Sequence, residues 1–239
     1  MKYLKNFTGI LSTLIVLLIF VSCASGGTDD GLISNGGESL EPLKKHNGHE
    51  YVDLGLPSGL KWATCNVGAT TPEGYGNYFA WGETVPKDYY DWSNYKYCDG
   101  TYNIMTKYCT SSVYGTVDNK TTLELEDDAA HVNWGGNWRM PTKAEFDELK
   151  NRNNCTWIWM FQNGVRGYKV ISKNNGNFIF LPSAGSYFSD SFSIGGCYHT
   201  SSLDVDQTFC SWGFYFDSDD EYFDYNLRIY GKSVRSVFE

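Results

Sequence analysis

The apolar positions of this chain fall in short runs separated by glycine, proline and polar clusters, a pattern of strands joined by turns. From His46 onward they read as one continuous domain. Residues 51–60 (YVDLGLPSGL) run into 61–67 (KWATCNV), two short strands split by a Pro-Ser-Gly turn, and 74–83 (GYGNYFAWGE) add an aromatic strand bounded by glycines. Farther on, 168–172 and 178–181 flank KNNGN, a hairpin whose turn residues accept positive φ. A second hairpin is predicted from 212–216 and 222–230, which flank an acidic turn at 217–221, and 233–238 supply a terminal strand. Helical signals are confined to the middle. Asp127 and Asp128 stand ahead of AAHV as an N-terminal cap, and Gly135 and Gly136 end that short helix. Pro141, then Thr142 with Glu145 three residues on, form a capping box for a second helix whose apolar stripe is Phe146 and Leu149.

The N-terminus breaks this pattern. Lys2 and Lys5 precede an apolar run over 10–21, too short for the about 20 residues of a membrane span and suited to a signal-peptide core. The run ends at Ser22, Cys23, Ala24, which resembles a bacterial lipoprotein signal. Residues 1–22 are therefore expected to be removed and Cys23 lipidated. Residues 23–45, rich in Gly, Ser, Thr, Asp and Glu, have no apolar period and should form a flexible tether, leaving 46–239 as the domain. Ala24, where an Asp would retain the chain at the inner membrane in some bacteria, points to the outer membrane and its exposed surface.

Composition narrows the function classes. The 239 residues carry 19 Lys and Arg against 28 Asp and Glu, a net charge of -9, which argues against nucleic acid as a partner. Six cysteines follow Cys23: Cys65, Cys98, Cys109, Cys155, Cys197 and Cys210. In an oxidising compartment an even number reads as up to three disulfides. Short loop closure favours Cys98 with Cys109 and Cys197 with Cys210, which leaves Cys65 for Cys155. No CxxC occurs and the four histidines are scattered, so no metal site is expected. The acidic turn at 217–221 invites calcium, yet its sixth position is Tyr222 where an EF-hand loop needs Gly. No cofactor is called for, and calcium is left open.

Several blocks in fixed order carry a resemblance: YVDLGLPSGLKWATCNVG with AWGET, DDAAHVNWGGNWRMPT, NNCTW, FIFLPSAG and GKSVRSV. Together they resemble the major paralogous surface domain of Fibrobacter and Bacteroides relatives, and through WRMPTKAE that domain is similar to the formylglycine-generating, sulfatase-modifying family. The resemblance implies an α+β, C-type-lectin-like fold with antiparallel strands, two short helices and long irregular loops. Enzymes of that family use a cysteine pair close to the C-terminus, and here the final 29 residues after Cys210 contain none. No catalytic residue is carried over, and no GxSxG, HExxH, Walker loop or GxGxxG is present.

What remains is aromatic chemistry in two unpatterned segments. Between Lys87 and Asn119 lie Tyr89, Tyr90, Trp92 and five further tyrosines among Asp, Asn, Ser and Gly, the mixture that binding loops use. Tyr89, Tyr90 and Trp92 are the expected stacking anchors, with Asp88, Asp91 and Asn94 as polar partners. The second segment, 183–207, contains Tyr187, Phe188, Phe192, Tyr198 and His199. The expected protein is a non-enzymatic, lipid-anchored surface module that binds an extracellular glycan or protein. A sulfatase-modifying-type enzyme and a structural or appendage subunit are the alternatives.

Overall fold

The computed structural model describes residues 44–239; the signal sequence, Cys23 and the tether up to 43 lie outside the described residues. The molecule is built from antiparallel strands with two short α-helices. One sheet has the order β1-β2-β3-β13, from Lys45–His46, His49–Asp53, Lys61–Asn66 and Arg235–Phe238. A second sheet, β4-β5-β6, joins Cys155–Gln162, Val165–Ser172 and Phe178–Pro182. The third, β11-β10-β9, joins Glu221–Leu227, Cys210–Phe216 and Gly196–Leu203, and the fourth, β12-β7-β8, joins Gly231–Lys232, Ser186–Phe188 and Ser191–Ser193.

Both helices start as the sequence predicts. In α1 (Ala129–Trp134) the Asp128 carboxylate accepts from the N–H groups of Ala130 and His131, and Gly135 ends the helix at φ 67°. In α2 (Lys143–Lys150) Thr142 and Glu145 form the reciprocal capping box, with Phe146 and Leu149 buried. Arg139 adds a bidentate pair to Glu145, 2.7 and 2.8 Å. The β5–β6 hairpin also forms where predicted, with Gly176 at φ 76° in its turn.

Residues 74–83 do not form the expected strand. Gly76 takes φ 72°, and a Cβ there would stand 2.3 Å from Val67 O; Gly82 takes φ 80°. The chain turns at both glycines, so only Phe79 keeps a bridge, to Lys232. The long segment 87–119 is irregular, as expected, but most of its rings face inward. Tyr90, Tyr95, Tyr97 and Tyr108 are buried in one aromatic core with Trp81, Trp138 and Ile229. A second core lies among Trp62, Phe146, Trp157, Phe214 and Phe216.

The expected disulfides are absent from the structure: Cys65, Cys98, Cys109, Cys155, Cys197 and Cys210 are all free thiols. Strand register explains one case. Cys197 lies opposite Tyr215, five residues along β10 from Cys210, roughly 16 Å away at about 3.3 Å per residue, whereas a bridge needs Cα atoms within about 7 Å. Cys109 Sγ contacts Ser111 O and Cys98 Sγ contacts Trp92 O, so each thiol is turned toward its own local backbone. Cys65 and Cys155 belong to different sheets.

Buried polar groups give the fold a signature in pH. His199 is fully buried on β9, with Nε2 2.9 Å from Phe79 O and 3.2 Å from Tyr230 O, and its Nδ1 has no partner. Desolvation, helped by the nearby Lys232 ammonium, pushes its pKa down to about 3. The unfolded chain therefore takes up this proton first as pH falls, and the stability that neutral His199 confers above pH 6.5 is lost toward pH 3 at up to about 1.4 kcal/mol per unit. Urea unfolding between pH 6.5 and 4.5 should show this loss in wild type and a flatter profile in His199→Gln. Parallel profiles would contradict the assignment.

Candidate functional site

Residues 76–90 and the β7–β8 hairpin build the site. The close approach at Gly76 lets Asn77 N–H donate to Val67 O at 2.8 Å and turns Tyr78 toward the hairpin, where its hydroxyl donates to Ala184 O. Tyr90 exchanges backbone hydrogen bonds with Ser189 at the hairpin tip, 3.1 and 2.8 Å, and its hydroxyl donates to Tyr78 O at 2.7 Å. Between these segments lies a cleft of about 290 Å³ lined by Gly76, Asn77, Tyr78, Pro86, Lys87, Asp88, Tyr90 and Tyr187. Its aromatic wall is formed by Tyr78 and Tyr187, packed edge-on at 4.9 Å; outside the lining, Tyr187 also tilts against Phe192 at 5.1 Å.

The charges in the cleft are unequal. Lys87 Nζ lies 2.7 Å from the buried Glu83 carboxylate and 3.1 Å from both Asn94 O and Oδ1, so its charge is balanced locally. Asp88 is exposed. Burial raises the pKa of both Tyr78 and Tyr90, which keeps the two phenols neutral at ordinary pH. The cleft thus offers a neutral aromatic wall, the exposed Asn77 at its margin and one exposed carboxylate. Rings supply stacking area, and amide and carboxylate supply hydrogen bonds to hydroxyls.

The residues expected from the sequence divide into three groups. Asp88 and Tyr90 line the cleft, but Tyr90 is only 1% exposed and forms its floor, with its ring against Gly231, so it is not the exposed stacking anchor expected. Tyr89 is exposed outside the cleft lining, and Trp92 is half-buried against Tyr95 and Tyr102. Asp91 and Asn94 are committed to local structure: they form the capping box of a 3-10 turn at Trp92–Asn94, and Asn94 also donates to Tyr89 O at 2.8 Å. The sequence reading placed Tyr187 in the second loop, and it passed over Tyr78 and Asn77, which sat in a predicted strand.

Two other clusters resolve without a ligand. The carboxylates of Glu124, Glu126 and Asp127 converge within 4.8 Å, a spacing suited to a cation. Lys107 Nζ already stands among them, 2.6 Å from Glu124, 3.0 Å from Glu126 and 2.6 Å from Asp127. Buried Asp127 also accepts from the Tyr97 and Tyr108 hydroxyls; the Lys107 ammonium first, then these two hydroxyls, hold its pKa down at about 2 despite burial. In the acidic turn, Asp217 Oδ1 accepts from the N–H groups of Asp219 and Asp220, closing the turn on itself. Burial pushes the Cys155 thiol up to about 11 and the Cys210 thiol up to about 12, so both remain protonated at neutral pH.

No protein-family model, curated protein or solved structure matches this chain.

Proposed function

We propose that this chain is a non-catalytic binding module of a cell-surface lipoprotein, held to the outer membrane by a lipid on Cys23, in a fold of the C-type-lectin-like class. Its ligand is a glycan, taken in the cleft between residues 76–90 and the β7–β8 hairpin. The cleft itself carries the reading: it joins the two aromatic segments that the sequence singles out, and at about 290 Å³ it suits a small ligand of about one saccharide unit. Flat rings stack on the apolar face of a sugar while Asn77 and Asp88 meet its hydroxyls. Cys197 and Cys210 stand roughly 16 Å apart along β10, too far to hold one copper ion between them, and this counts against the sulfatase-modifying alternative.

A glycan array probed with the purified protein tests the proposal. The expected result is retention of a set of neutral glycans, since the chain's charge of -9 disfavours acidic ones. An array with no bound glycan, together with stoichiometric copper binding in a parallel titration, would overturn it.

A further inference from the structure

The β4 strand, Cys155–Gln162 with sequence CTWIWMFQ, contains no charged residue and no proline, and it stands at the edge of its sheet. Its eight residues pair with β5 in one unbroken register from Cys155↔Ser172 to Gln162↔Val165, so no bulge twists this edge away. Cys155 N–H points away from β5, to Asn151 O. Pleat alternation then directs the N–H and C=O groups of Trp157, Trp159 and Phe161 to the same open side. Among the described residues none of those groups has a backbone partner. Beside them Ile158 is 44% and Phe161 58% exposed. Soluble proteins normally blunt such an edge with lysine, proline, a bulge or a covering element.

Four of the other edge strands are protected. β1 and β8 have two and three residues. β6 ends at Pro182 and gives Phe180 O to Arg235. β11 carries Glu221 and Asp224, so antiparallel self-pairing about its centre would set Asp224 against its own copy. β4 alone among these edges is long, open and free of like-charge conflict with itself.

We infer that β4 is an interaction edge and that its occupant is β4 of a second copy of this chain, paired antiparallel about Trp159. In that register Trp157 meets Phe161 of the other copy, and Trp159 meets Trp159. The three facing pairs are hydrogen-bonded ones that exchange two bonds each, roughly six in all, and the two three-stranded sheets become one six-stranded sheet. The exposed Ile158 and Phe161 side chains are covered at the same time. A second copy fits because antiparallel pairing about Trp159 sets no charged residue of β4 against its own copy, whereas β11 would oppose Asp224 with Asp224.

Sedimentation equilibrium on the full chain in density-matched detergent tests the inference. Wild type is expected at twice the mass of one chain. Phe161→Pro removes an outward N–H and leaves the β4–β5 ladder intact, and Ile158→Lys places a charge beside the edge; each should weaken dimerisation at least about tenfold. Hydrogen exchange at Trp157 and Trp159 should be slow in wild type and fast in both variants. If Phe161→Pro fails to fold, Ile158→Lys decides alone. A monomeric wild type, or a dimer that survives in every folded variant, would overturn the inference.

Discussion

Replacing Arg235 by leucine should lower the stability of the domain by on the order of 4 kcal/mol. Arg235 is fully buried on β13 and donates from Nε to Asn66 Oδ1 at 2.9 Å, from Nη1 to Ala63 O and Thr64 O at 3.1 and 2.7 Å, and from Nη2 to Phe180 O at 3.0 Å. One planar guanidinium thereby ties β13 and β3 to β6 of a different sheet. Leucine fills part of the volume and leaves four acceptors without a donor, each of which costs about 1–3 kcal/mol when buried. Lysine should recover only part of the loss, because its three N–H donors sit on one atom and cannot span the same fork. Thermal unfolding followed by circular dichroism should show a midpoint lower by roughly 10 °C for Arg235→Leu. A midpoint within about 2 °C of wild type would refute this role.

The double change Tyr90→Ala with Trp92→Ala should unfold the domain more readily rather than merely empty a binding surface. Tyr90 fills space against Gly231, where a Cβ would stand 2.5 Å from the ring, and its hydroxyl holds the 76–78 segment through Tyr78 O. Truncating a buried ring of this kind costs about 3–5 kcal/mol, and half-buried Trp92 adds a smaller loss. Denaturant titration should place most of the destabilisation in the Tyr90 single variant. Equal stability of Tyr90→Ala and wild type would mean that the ring is a surface group after all.

Local signals account for the parts of the structure that were legible beforehand. The capping box at Thr142 and Glu145 lies within four residues, and the KNNGN turn specifies its hairpin through residues that tolerate positive φ. The strands β4, β7, β8 and β9 and the two-residue β1 are not among those predicted from the sequence. In β9 seven of eight positions are buried, including Cys197, His199, Thr200 and Ser201, so neither alternation nor hydrophobicity marks it. The irregular segment 87–119 posed a different problem. Without a period there is no face, and whether a tyrosine turns inward depends on distant partners: Tyr108 is fixed by Thr208 and Arg228 donating to its carbonyl, 100 and 120 residues away. The same limit applied to the cleft. Two of its walls meet because Tyr78 reaches Ala184, 106 residues on, and nothing near Tyr78 in the sequence announces that contact. Aromatic composition pointed to two segments that both contribute to the cleft lining, and long-range packing decided which rings are available there.

Isothermal titration of the strongest array glycan into wild type and Tyr187→Ala tests the central claim most directly. Tyr187 is half-buried, lines the cleft and forms its aromatic wall with Tyr78. Loss of a central aromatic anchor typically costs about 2 kcal/mol, so affinity should fall roughly thirtyfold, with Asp88→Asn showing a smaller loss and both variants retaining the wild-type circular dichroism spectrum. Undiminished affinity in folded Tyr187→Ala would contradict the assignment of this cleft as the glycan site.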